Sequence, residues 1–170
     1  DQVILDHGPD GDYSFTLSVA GQSTSDHSIC GDVSAGSILF QVAGYSSEAK
    51  TCLESGSQLV AGDWAHIAVT YDAPDLYIFV DGVESVYGRT GTELNDASDY
   101  EIEFGGRSAD DASFYGIIDE LRLSNSARYT TDFTTEQAPD VDADTVLLFH
   151  MDEGYGSSLT DETGLGHDGV

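Results

Sequence analysis

Apolar and polar residues alternate along this chain with a period of two. Phe15, Leu17 and Val19 alternate with Ser14, Thr16 and Ser18, and Ile38, Phe40 and Val42 repeat the pattern. That period sends successive side chains to opposite sides of a pleated strand. The clearest stretch is residues 62–82, GDWAHIAVTYDAPDLYIFVDG. Its aromatic and β-branched residues at 64–71 predict one strand, and Asp72-Ala73-Pro74-Asp75 is turn chemistry. Leu76, Ile78 and Val80, interleaved with Tyr77 and Phe79, predict a second strand. Asp81-Gly82 then suits a two-residue hairpin turn, in which both central residues take positive φ. The chain should return through residues 83–86, so a three-strand meander is expected around which the rest packs.

Shorter strand signals lie at 3–5, at Leu53 and Leu59-Val60, and at 101–104, 116–123 and 145–150. No stretch sustains a 3.6-residue apolar repeat, and residues 126–133 predict one helical turn at most. Many short strands with turns every eight to twelve residues predict an all-β fold, a two-sheet antiparallel sandwich or jelly roll. The N-terminal strands carry Ser and Thr on one face and are expected to be half-exposed. Ile117-Ile118 and residues 146–149 are apolar on both faces and predict central strands.

Length and composition narrow the classes. A chain of 170 residues with 39% apolar content reads as one globular domain over 1–170. No run approaches the ~18 apolar residues of a membrane span, so no membrane insertion is expected. The chain starts at Asp1 without a basic-then-apolar leader, which predicts that any signal peptide has been removed or that the chain is cut from a longer protein. Thirty-two acids face 5 bases, a net charge of −27, and Lys50 is the sole lysine. Nucleic acid binding needs Lys and Arg to neutralise phosphates, so no nucleic acid partner is expected. The acids point instead to solubility in salt, to divalent cation binding, or to a solvated surface. Cys30 and Cys52 form neither a metal motif nor a CxxC redox motif. Each lies beside strand-like sequence, which predicts a cross-strand disulfide closing a loop worth roughly 3 kcal/mol, with two free buried thiols as the alternative. A disulfide would place the protein outside the cytosol.

The segments GDWAHIAVTYD, YIFVDG, EIEFGG and GIIDELRLSNSAR occur in that order. From Phe15 to the C-terminus the chain thereby resembles the laminin-G-like, concanavalin A-like jelly-roll family. LFHMDEG at 148–154 and DETGLGHDG at 161–169 also look like this family, where they normally open a domain; here they close the chain. The resemblance implies that 145–170 is either a permuted terminal strand, paired in cis or between subunits, or the start of a following repeat. Relatives of this kind include sugar binders, adhesion modules, domains of extracellular enzymes and parts of phage virions, so the fold does not select a function.

The chemistry-bearing residues select more. Asp161, Gly164 and Asp168 offer carboxylates and flexible backbone of the kind calcium takes, and Asp119 and Asp152 could approach them in the fold. Some relatives hold a structural calcium at such a loop. Asp140, Asp142 and Asp144 imitate the start of an EF-hand, but Thr145 and Met151 occupy the positions that need Gly and Glu. Glu101 and Glu103 share a strand face, yet glucanases of this fold use Glu-x-Asp-x-x-Glu, which residues 101–104 break. No Gly-x-Ser-x-Gly elbow occurs. His66 reads as a packing residue beside Trp64, and His7, His27, His150 and His167 are scattered, which gives no zinc site. No enzyme activity is therefore expected. Sugars stack on aromatic faces and bond to polar side chains. Tyr45, Tyr87 and Tyr115, with Arg107 after Gly105-Gly106, are the candidate ligand contacts, while the single Trp64 reads as a strand residue and not as a platform. The expected function is a non-catalytic extracellular recognition module for glycan or protein, stabilised by calcium. The alternative is a structural or assembly subunit of a surface adhesin, fibre or phage virion, with self-assembly or tandem repeats.

Overall fold

The computed structural model describes the chain apart from residues 9–13, 44–49, 91–93, 96–98 and 109–111, and apart from the side chains of 24–26. Its strands, in chain order, are β1 (Gln2–His7), β2 (Phe15–Val19), β3 (Thr24–His27), β4 (Gly31–Val33), β5 (Ser37–Ala43), β6 (Lys50–Gln58), β7 (Ile67–Asp72), β8 (Asp75–Val80), β9 (Val83–Arg89), β10 (Ile102–Phe104), β11 (Gly106–Arg107), β12 (Ala112–Ser113), β13 (Leu121–Ser124) and β14 (Thr145–Phe149). Every strand pair is antiparallel, and the described residues contain no helix. The chain divides into two compact units, residues 1–115 with 129–133, and residues 116–128 with 134–170.

The first unit is built on a five-stranded sheet in the order β10-β1-β2-β5-β6. Register pairs Phe15 with Val42, Leu17 with Phe40 and Val19 with Ile38, so the period-two apolar set of both strands falls on one face. Leu17, Val19, Ile38, Phe40 and Val42 are all buried there. Each such side chain contributes roughly 1.5–3 kcal/mol on leaving water.

The meander β7-β8-β9 forms as its sequence predicts. Asp72 pairs with Asp75 across Ala73-Pro74, and Val80 pairs with Val83 across Asp81-Gly82. Both turn residues have positive φ, 53° at Asp81 and 79° at Gly82. β7 starts at Ile67, later than the pattern predicts, and leaves Trp64 ahead of the strand and 67% exposed. Leu59-Val60 likewise follows β6 without extending it, and Val60 is exposed. Leu76, Ile78 and Phe79 are wholly buried, so β8 is covered on both faces. The ring of Phe79 meets those of Tyr129 and Phe133, which stack on each other at 3.5 Å. Residues 129–133 therefore make no helical turn. Their backbone is held by Phe133 N donating to Gly82 O, and Asp132 accepts from Glu84 N. At the other side of the meander Gly88 lies against Leu53 of β6, so closely that a Cβ there would stand 2.8 Å from a Leu53 methyl.

In the second unit β13 pairs with β14, from Leu121 opposite Phe149 to Ser124 opposite Thr145. The Thr145–Phe149 strand thus has its partner within the chain, and Leu148 and Phe149 are buried. Residues 116–119 do not extend β13: the strand begins at Leu121, and Ile117 is 75% exposed rather than central. Arg128 ties the ladder's open end, donating to Asp142, Ser124 and Thr145.

Candidate functional site: a polar pocket on the five-stranded sheet

Alternation that gives the sheet an apolar face must give it a second face. Register lines up Glu103, Asp6, Thr16, Gln41 and Cys52 across all five strands on that second side. A neighbouring row runs Val3, Ser18, Leu39 and Glu54. This face is not open to solvent as the Ser and Thr content predicts: Thr16 is 2% exposed, Ser18 1% and Gln41 6%.

The reason is the short β3–β4 hairpin, which folds over one end of this face. Val33 packs with Ala20 and Leu39, and Cys30 and Cys52 join that cluster. The two cysteines form the expected disulfide, with their Cα atoms 5.1 Å apart. Ser34 N donates to Glu54 at 2.7 Å, a second tie between the hairpin and β6. Inside the hairpin His27 Nδ1 accepts from the backbone N–H of Cys30 at 3.2 Å and of Ile29 at 3.4 Å. The ring's proton therefore sits on Nε2, which donates to Asp1 at 2.7 Å. Burial lowers the pKa of His27 below its ordinary value and favours this neutral form.

Between sheet and hairpin lies a pocket of about 260 Å³. Thr16, Ser18 and Gln41 form its floor, with Val3 beside them, and His27, Ser28 and Ile29 its wall. Lys50 and Arg107 also line it, as does Asp1. The Ser18 hydroxyl is buried and has no hydrogen-bond partner among the described residues. A buried hydroxyl without a partner forfeits its bonds to water, so such groups in native proteins usually mark a place for water or a ligand.

Asp6 lies beside this floor, next to Thr16 on the same face, and is 2% exposed. It accepts the Thr16 hydroxyl at 2.5 Å and stands 3.5 Å from an Arg107 nitrogen. Burial raises its pKa, partly offset by Thr16 and Arg107, and the Glu103 charge on the next strand raises it further. Glu103 in turn accepts from the backbone N–H and the hydroxyl of Ser108. Asp6 and Glu103 are thus two carboxylates on adjacent strands, but neither lines the pocket. Asp6 acts as a positioning residue that aims Thr16 and Arg107.

Of the ligand contacts expected from sequence, Arg107 lines this pocket. Tyr87 does not: it sits in β9, its hydroxyl donating to Asp75 at 2.7 Å and its ring 5.2 Å from Tyr77. Tyr115 follows β12, 85% exposed, with its N–H on the Gln2 side chain. Tyr45 lies outside the described residues. The floor residues escaped the sequence reading because they looked like a solvated strand face. The available signal was their place on β2 and β5, strands whose opposite face is the apolar core.

The expected metal loop is a knot of hydrogen bonds. The Asp161 carboxylate is fully buried and accepts from the N–H groups of Leu148, Thr163 and His167 and from the Thr163 hydroxyl at 2.6 Å. These bonds lower its pKa against the desolvation that raises it. Asp168 accepts from Asp161 N at 2.9 Å, and Gly164 takes φ of 69° in the turn between them. Asp119 and Asp152 are exposed and take no part in these bonds. Among the described residues no group of three or more His, Cys, Asp or Glu is arranged to hold a metal.

A family model described as the concanavalin A-like lectin/glucanases superfamily matches residues 5–132. Among curated proteins none matches the sequence. Among solved structures the chain is similar to a Bacteroides ovatus protein provisionally described as carbohydrate binding, with a TM-score of 0.58 and 17% identity. That likeness covers 98% of this chain and 49% of the other, so the chain spans about half the length of that protein.

Proposed function

The chain belongs to the concanavalin A-like lectin/glucanase superfamily, and from that premise we propose that it is a non-catalytic carbohydrate-recognition module whose ligand rests in the polar pocket of the five-stranded sheet. The observation that carries this reading is the pocket floor. Thr16, Ser18 and Gln41 present hydroxyl and amide groups from central strands, and the Ser18 hydroxyl has no partner among the described residues. Sugar recognition asks for such groups, held rigidly and kept from bulk water. The volume of about 260 Å³ suits a ligand at the small end of pocket-bound molecules, the size of a sugar unit and not of a protein segment.

The absence of catalysis rests on where the carboxylates point. Glycoside hydrolysis needs two carboxyl groups flanking the scissile bond. Here Asp6 is covered by Thr16 and Arg107, and Glu103 is engaged by Ser108. The similarity to a carbohydrate-binding description in the Bacteroides ovatus protein supports the ligand class. The Cys30–Cys52 bond supports a working place outside the reducing cytosol.

The test is a panel of oligosaccharides titrated calorimetrically into the wild-type chain and into Gln41→Ala. We expect binding of at least one saccharide by the wild type and a loss of about fivefold or more in the variant, the scale of one hydrogen bond. Equal affinity in both proteins would move the site away from this pocket.

A further inference from the structure

We infer that the meander β7-β8-β9 carries a second saccharide site, beyond the one proposed above, in which Tyr77 and Tyr87 stack a neutral sugar. It shares no residue with the pocket. Period two places Asp75, Tyr77 and Phe79 on one face of β8. Register sets Arg89 opposite Asp75 and Tyr87 opposite Tyr77, so β9 extends the same face. The two ends of that face differ. Phe79 is wholly buried, its ring against those of Tyr129 and Phe133. Tyr77 is half-buried and Tyr87 is 47% exposed, so aromatic surface passes from beneath that cover into the open.

The open rings are held in place. Tyr77 stacks beside Phe79, 18° from parallel with centroids 5.9 Å apart. Tyr87 lies 5.2 Å from Tyr77, and its hydroxyl donates to Asp75 Oδ1 at 2.7 Å. An aromatic side chain already fixed in this way loses little freedom when it takes a ligand. Polar groups able to orient a sugar stand beside the rings. Arg89 Nε also reaches Asp75 Oδ1, at 3.0 Å. Both contacts fall on one oxygen, so Asp75 Oδ2 and the terminal amino groups of Arg89 make no hydrogen bond with the described residues. An acceptor next to a set of donors suits neighbouring hydroxyls on one sugar ring.

Charge selects among ligands. Desolvation first, and then the charges of Asp75, Glu84 and Asp72, raise the pKa of Tyr77, with Arg89 opposing. Three carboxylates and one guanidinium therefore act on the platform, and that surplus of acid repels a uronate or a sulfate. A basic peptide would meet the exposed guanidinium of Arg89. A neutral saccharide meets neither penalty and can use donor and acceptor alike.

Among the described residues that line the pocket there is no tyrosine or tryptophan, so tyrosine absorbance reports the platform and not the pocket. The experiment titrates neutral gluco-, manno- and xylo-oligosaccharides into the intact chain and follows the ultraviolet difference spectrum beside calorimetry. The variants are Tyr87→Ala, Tyr87→Phe and Gln41→Ala. At least one saccharide should perturb tyrosine in the wild type and, with the same affinity, in Gln41→Ala. Tyr87→Ala should weaken that binding about tenfold, and Tyr87→Phe, which keeps the ring and controls for folding, should weaken it less. Calorimetric binding lost in Tyr87→Ala alone would support this site and strike the pocket. No tyrosine perturbation by any saccharide overturns the inference, and calorimetric binding that persists without it leaves the pocket reading standing. A perturbation lost in Gln41→Ala also overturns it, since the signal would then come from the pocket. Perturbation by a lysine oligomer and by no saccharide overturns it as well, the partner then being a cation.

Discussion

The two faces of the β2–β5 pair are both buried, and they differ in chemistry, since polar side chains stand among the apolar ones on the second. On one, Leu17, Val19, Ile38, Phe40 and Val42 share an apolar core. On the other, Thr16, Ser18 and Gln41 are as inaccessible but polar. Burial of apolar surface stabilises a fold, whereas burial of polar groups costs free energy unless each finds a partner. Thr16 finds Asp6, and the Ser18 hydroxyl finds nothing among the described residues. The difference is that the first face serves stability, whereas the second carries a cost of burial that the proposed ligand would offset.

Substitutions can break or sharpen this contrast. Phe40→Ala, on the apolar face, should cost about 3–5 kcal/mol of unfolding free energy, read by denaturant titration. Its effect on ligand affinity in the folded fraction should be small; a large loss of affinity would mean the faces are not separable. Replacing Cys30 and Cys52 by serine should cost roughly 3 kcal/mol through the reopened loop. It should also lower affinity, because the His27–Ile29 wall loses its tether to β6, and reductant should act on the wild type in the same direction.

Asp6 supplies a pH test. Its pKa is raised above 3.8 by burial, so in the window above that value the folded state binds more protons than the unfolded one. Stability from this group is then highest at low pH and declines as pH rises from 3.8 through the folded pKa. The difference in unfolding free energy between wild type and Asp6→Asn, measured from pH 4 to 7, should show that decline. A flat difference would deny that burial dominates at Asp6.

Smaller effects sharpen the contrast further. Ser18→Ala removes an unpartnered hydroxyl, so stability should change by less than about 0.5 kcal/mol while saccharide affinity falls severalfold. An unchanged affinity would take Ser18 out of the site. Smallest of all is the expected response to a chelator. Asp161 already accepts from amide and hydroxyl donors, so the melting temperature should not move. A fall on chelation would instead assign calcium to the 161–169 loop, by mass-action linkage.

How far these features can be read from the chain depends on how local they are. The Asp81-Gly82 turn and the alternation of residues 76–80 need only nearest neighbours, and both are found as the pattern predicts. Trp64 and Ile117 show the limit: each is apolar and sits in strand-like sequence, yet both are exposed. Propensity says that a residue fits a strand and does not say where the ladder begins. The β3–β4 hairpin carried no readable signal, because TSDH and GDV lack an apolar period.

The sequence by itself determined the all-β class, the meander and the family, because alternation, turn chemistry and short motifs are properties of contiguous residues, while it left the pairing of Cys30 with Cys52 as an expectation that the structure bears out. Only the tertiary structure decided that the Ser and Thr face of β2 is covered, that Lys50 and Arg107 line one cavity with Ser18, and that Thr145–Phe149 pairs with β13. Those outcomes depend on which distant segments meet, and a period-two pattern states which residues share a side without stating what comes to lie upon it.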